Sequence, residues 1–204
     1  MNRLAGNILV SGLIALFILV QPGPARADSA SAVVQEFQAT LIEVMKGAEK
    51  SSVRQRFDQL SPAVEKAFHI PLMTQIAVGQ SWAQATREQK SAVAAAFRRM
   101  SVATLATLFD GYNNERFDLD KEKPGPSKTT IVMTTLVKSD DSTVDIAYVA
   151  RRIQDRWRLI DVIVDSGISE LKVRRSEYRL ILKKSGLSGL IELLNGKADE
   201  LMSQ

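Results

Sequence analysis

After Tyr112 the apolar residues stop recurring at a period near 3.6 and begin to alternate, and beyond Val164 the longer period returns. Side chains repeat every 3.6 residues around a helix and every second residue along a strand. The chain therefore reads as helices, then strands, then helices. Phe117 and Leu119 alternate with Arg116, Asp118 and Asp120 in a first strand, and residues 123–128, with two prolines and a glycine, read as a loop. Three strands rich in Val, Ile and Thr follow over 129–137, 143–152 and 157–164. Their connections are too short for crossovers, so neighbouring strands must be antiparallel. The predicted class is α+β, one sheet of about four strands packed with helices.

Val33, Val34, Phe37, Leu41, Val44, Met45 and Ala48 mark a first amphipathic helix ending within 47–51, and Val53, Phe57 and Leu60 a second piece. Ser61-Pro62 reads as an N-cap followed by proline at the first helical position, opening a short helix that Ile70-Pro71 breaks. One or two further turns carry Leu72, Met73, Ile76 and Val78 and stop at Gly79. Thr86 and Gln89 form a capping box that opens the longest helix, running to about Tyr112. Residues 100–109 of that helix contain no charge, so it must be covered on every side by protein or by something else. Helices return over 169–184 and 187–201.

Ahead of the first helix, Arg3, an apolar stretch from Leu4 to Val20, the breakers Pro22-Gly23-Pro24 and Ala25-Arg26-Ala27 have the form of a secretory leader cleaved after Ala27. The apolar run is short for a membrane anchor, which needs ~20 mostly apolar residues. The expectation is a leader over 1–27 and one exported domain over 28–204, periplasmic and without a transmembrane anchor. With no cysteine in 204 residues, disulfides cannot staple that domain. Arg3 and Arg26 account for half of the formal net charge of +4, so the exported domain is only mildly basic and gives no argument for nucleic acid.

Catalytic chemistry has little to work with. His69 is the single histidine, which argues against an ordinary zinc site and routes any Ser-His-Asp mechanism through one residue; it sits at a helix end before Ile70-Pro71, where a favourable interaction with the helix dipole explains it. Asp118, Asp120 and Glu122 imitate the start of a calcium loop, but Lys123 stands where glycine is needed and Thr129 where the bidentate glutamate is needed. No metal or cofactor is expected.

Several segments together carry a resemblance: Phe68-x-x-Pro71-Leu72-Met73, Val78-Gly79-Gln80-Ser81-Trp82, the Thr86 helix start with Phe97, Phe109-x-x-Tyr112, Arg156-Trp157-Arg158-Leu159-Ile160-Asp161-Val162, and Gly167-Ile168-Ser169-Glu170-Leu171 followed by Arg174-Arg175-Ser176-Glu177-Tyr178. In order and spacing they resemble the periplasmic toluene-tolerance family of MlaC-type lipid carriers, and the last two blocks resemble most its hopanoid-associated HpnM subgroup. The resemblance implies an NTF2-like fold, a curved antiparallel sheet and helices enclosing an apolar cavity. It also implies a soluble, monomeric carrier that moves a phospholipid or hopanoid-type lipid between inner and outer membranes, with an ABC- or RND-linked inner-membrane transporter and an outer-membrane complex as partners.

The cavity-lining candidates are Leu72, Met73 and Ile76; Phe97, Met100, Leu105, Leu108, Phe109 and Tyr112 on the long helix; and Met133, Ile146, Tyr148 and Ile163 on the sheet. Arg151, Arg152, Arg174 and Arg175 are candidates for headgroup contact or partner docking. Two other readings share the fold: an adaptor with a filled core, and an enzyme using Asp161, which alternation places on one face with Trp157 and Ile163.

Overall fold

The structure, a computed structural model, describes residues 29–165 and 167–203; the leader expected over 1–27 lies outside the described residues. Among the described residues, six α-helices and five strands follow the order read from the periodicity: α1 (Ala30–Gly47), α2 (Val53–Ala67), α3 (Ile70–Val78), α4 (Gln80–Gln84), α5 (Arg87–Leu108), β1 (Arg116–Gly125), β2 (Thr129–Val137), β3 (Thr143–Ile153), β4 (Arg156–Val164), β5 (Ile168–Ser169) and α6 (Glu170–Met202). The strands form one antiparallel sheet in sequence order. Four strands were expected; the fifth is the two-residue β5, too short for alternation to show.

Two helix boundaries differ from the sequence reading. Ser52, not Ser61, caps α2, forming a capping box with Gln55, and the helix runs straight through Pro62. Leu60 and Val64, fully and nearly fully buried on either side of that proline, hold both halves of the helix against the core. Pro71 likewise lies in the first turn of α3 instead of ending a helix, because His69 supplies the cap. The Thr86–Gln89 capping box forms as read, while α5 stops at Leu108, four residues before Tyr112. The last helix breaks at Gly186, whose φ of 63° and ψ of −161° suit glycine alone, so the two helices read from the sequence are the two halves of α6.

One face of the sheet carries the core. Val132, Thr134, Tyr148, Ala150 and Leu159 are buried there beneath Val34, Phe37 and Leu41 of α1. Phe37 meets the ring of Phe68 edge-on at 5.0 Å. A β-bulge interrupts β4: Tyr148 pairs with Val162 and Val149 with Asp161, but Ala150 pairs with Leu159, leaving Ile160 unmatched. One extra residue reverses alternation beyond it. Trp157 and Leu159 therefore share the core face with Val162 and Val164, and Asp161 and Ile163 turn to the other side.

Candidate functional site

Between the core face of the sheet and the helices lies a cavity of ≈ 260 Å³. Its floor is Ile146 and Tyr148 of β3 with Val162 and Val164 of β4; its walls are Phe37 and Leu41 of α1, Val64, Phe68, and Ile70 and Met73 of α3. Helix α5 closes it with Phe97 and, from its charge-free half, Ser101, Thr104, Leu105 and Leu108, with Phe109 at the helix end. Val102, Ala103 and Ala106 on the other faces of the same helix are buried against protein. That divides the covering of α5 between protein and empty space. Leu108, 68% exposed, and the exposed Glu170 mark the rim, and Leu171 and Arg174 complete the wall from α6.

Polar groups in this wall are few: Ser101, Thr104, Tyr148, and Glu170 and Arg174 at its edge. Burial pushes the Tyr148 hydroxyl up to about 12, against a smaller opposite effect from its hydrogen bond with Gln38. It therefore stays protonated at neutral pH and cannot serve as a base. Asp161 faces away from the cavity. Its carboxylate accepts hydrogen bonds from Ser169 Oγ, from the Leu171 N–H at 3.2 Å and from the Val162 N–H at 2.8 Å, tying β4 to the start of α6. The enzyme reading loses its carboxylate to this structural role. His69 caps α3, its Nδ1 accepting from the Leu72 N–H at 3.1 Å. At a helix N-terminus the dipole disfavours a cation, so the neutral ring explains its position, not the favourable charge–dipole contact expected from the sequence. Asp120 and Glu122 lie on β1, where they accept from Thr135 and Ser31.

Of the candidates, Met73, Phe97, Leu105, Leu108, Phe109, Ile146 and Tyr148 line this cavity. Others do not. Met133 pairs with Ala147, which in turn pairs with Ile163, and all three lie on the far face of the sheet. Met133 was misassigned because its neighbours Val132 and Thr134 are the inward residues, and Ile163 because of the bulge at Ile160. Leu72 lines a shallow surface pocket with Trp82, Arg151 and Arg152, and Ile76 packs against the core. Tyr112, beyond the end of α5, stacks under Lys46 Nζ at 5.7 Å. Met100 sits in the wall of an open groove of ≈ 620 Å³ between α5 and α6, rimmed by the exposed Glu177, Lys197 and Glu200, which shares Thr104 and Arg174 with the cavity. Of the arginines, only Arg174 reaches the cavity wall; Arg175 packs over Gly79. The α1 contribution from Phe37 and Leu41 was missed, although their helical stripe was plain, because nothing in a stripe distinguishes lining from packing.

Comparison with known proteins agrees with this fold. The chain superposes on a solved structure described as the phospholipid-binding protein from Ralstonia solanacearum in complex with a phospholipid, with a TM-score of 0.72 and 20% identity over 87% of this chain and 99% of that one. No curated protein shows significant sequence similarity to it. The family model for MlaC protein matches residues 35–196, from the first turns of α1 to the last turns of α6. With the matched region spanning most of the helix–sheet–helix body and every residue that lines the cavity, the chain belongs to the MlaC family.

Proposed function

We propose that this protein is a periplasmic lipid carrier that holds an apolar lipid chain between α5 and the sheet. The observation that carries the reading is the unfilled apolar cavity, in which Arg174 and Glu170 at the edge are the charged lining residues. Keeping a sixteen-carbon chain in water costs on the order of 12 kcal/mol at ~0.8 kcal/mol per methylene. A free lipid therefore cannot cross an aqueous compartment at a useful rate, and an apolar cavity removes most of that cost without chemistry. The adaptor reading required a filled core, which this cavity disfavours.

The leader-like residues 1–27 support export, and family membership supports a route between inner and outer membranes through an ABC- or RND-linked transporter. A phospholipid or a hopanoid-type lipid would be the cargo, with Arg151, Arg152 and Arg175 as docking residues outside the cavity. Solvent extraction of the protein isolated from the cell envelope, followed by mass spectrometry, tests this. A lipid retained near one per protein is expected. Protein that yields none, and takes none from vesicles, would refute it.

A further inference from the structure

Helix α6 walls the cavity with Glu170, Leu171 and Arg174, and it turns another face to solvent beside them. On that face Val173 and Leu180 stand seven residues apart, two turns along one stripe, and Leu180 is 73% exposed. Lys172, Arg175, Arg179 and Lys183, spaced by three or four residues, form an adjoining cationic ridge. All four are exposed, and among the described residues none of them forms an ion pair. On α5, by contrast, Arg98 pairs with Glu65 and Arg99 with Asp199. Residues 169–184 hold six Lys and Arg against Glu170 and Glu177, a surplus as large as the whole chain's formal net charge of +4.

Exposed apolar side chains gather in the same place. Among the described residues the large hydrophobics left in solvent are Leu108, Leu119, Ile168, Val173, Leu180 and Leu193. Four of these six adjoin the α6 side of the cavity. Leu108 marks its rim, and Ile168 pairs at the sheet edge with Val164 of its floor. Val173 lies between the lining residues Leu171 and Arg174, and Leu180 continues its stripe. Single exposed leucines are ordinary on a protein surface, whereas a cluster at the rim of an apolar cavity calls for a covering surface.

Resting on the lipid-carrier reading, we infer that the exposed face of the first half of α6, with Leu108 and Ile168, docks the protein on an anionic membrane surface, the cavity rim toward the bilayer. An apolar stripe beside a Lys/Arg ridge suits the boundary between headgroups and acyl chains: the leucines enter it, and the cations meet the negative surface. An acidic protein would match the ridge but gives no reason for apolar residues to gather at the rim. Among the described residues no helix is long and apolar enough to cross a bilayer, so the contact is peripheral. A lipid chain passing this rim then moves between cavity and membrane without crossing water.

Flotation with vesicles of phosphatidylcholine, alone or mixed with phosphatidylglycerol, tests the docking face. Wild type should associate with the mixed vesicles at least about tenfold more strongly, and added salt should remove the difference. Lys172→Gln combined with Lys183→Gln should weaken that association about twentyfold. Leu180→Ser should weaken it about tenfold. None of these residues lines the cavity, so the melting temperature should stay that of wild type. Lys123→Gln combined with Lys128→Gln, exposed at the far end of the sheet, should change nothing. Association indifferent to phosphatidylglycerol, or weakened as much by the Lys123 and Lys128 changes, would overturn the docking face. So would mixed-vesicle binding that survives the α6 substitutions, which would leave an acidic protein as the partner of the ridge. Protein that binds the mixed vesicles as expected yet takes no lipid from them would refute the carrier reading alone, so the two failures are distinct.

Discussion

The side-chain amide of Gln38 donates to Thr134 Oγ1 at 3.0 Å, joining the middle of α1 to the core face of β2 where both residues are buried. The same nitrogen lies 3.5 Å from the Tyr148 hydroxyl, and the Thr134 hydroxyl donates to the Ile146 carbonyl at 3.0 Å. This chain of hydrogen bonds fixes α1 over the sheet beside Tyr148 on the cavity floor. A lone polar residue in each apolar stripe thus has a partner, as burial demands.

Removing both members should cost less than the two single losses added together. Thr134→Val leaves the Gln38 amide short of an acceptor and should lower stability by about 1–3 kcal/mol, roughly 3–8 °C in Tm. Gln38→Leu combined with Thr134→Val should be less destabilising than the sum of the single changes. A double-mutant cycle by chemical denaturation measures the coupling, and simple additivity would show that the pair contributes nothing.

Arg56 has an unexpected role. It is 7% exposed, and its guanidinium donates to the Ala106 carbonyl at 2.8 Å and to the Ser51 carbonyl at 2.6 Å. The acceptors lie in the last turn of α5 and in the loop before α2, where helix-end carbonyls have no partner within the helix. Arg56→Met keeps the stem and loses the donors, and should cost about 3 kcal/mol. An unfolding midpoint within error of wild type would contradict this.

Stability should also fall with pH through His69. Burial, aided by the positive charge of Arg158, lowers its pKa below the ordinary value of 6.5. The unfolded chain then takes up the proton first, so the contribution is complete above about pH 6.5 and is lost as pH drops toward the lower native value. Protonation also displaces the Leu72 N–H from Nδ1. His69→Asn retains an N-cap acceptor without titrating, and its stability should change less than wild type between pH 7.5 and 5.5. Parallel profiles would exclude His69 as the source.

Element order and class were legible because they depend on local periodicity, and both capping and the Gly186 break have local signatures. The α2 start was obscured by Ser61-Pro62, a good cap in isolation, which Leu60 and Val64 override by packing. The sheet faces were legible on β3, where Ile146 and Tyr148 point inward, but not on β4, because the bulge at Ile160 depends on pairing with β3. On β2 the inward residues are Val132 and Thr134, and a buried threonine reads as outward in any hydrophobic alternation. Whether an inward residue meets a neighbour or empty space is set by the curvature of the whole sheet, which no short segment encodes.

That empty space is also where the proposed function can be tested most directly. Leu105 borders the cavity and is only partly buried, whereas Met133 lies on the opposite face of the sheet. Uptake of a fluorescent acyl-chain probe should fall at least tenfold in Leu105→Trp, with the melting temperature within a few degrees of wild type, because the indole enters existing space instead of displacing packed atoms. Met133→Trp should bind the probe as wild type does. Equal uptake by all three proteins, or loss in Met133→Trp alone, would contradict a lipid chain held between α5 and the sheet.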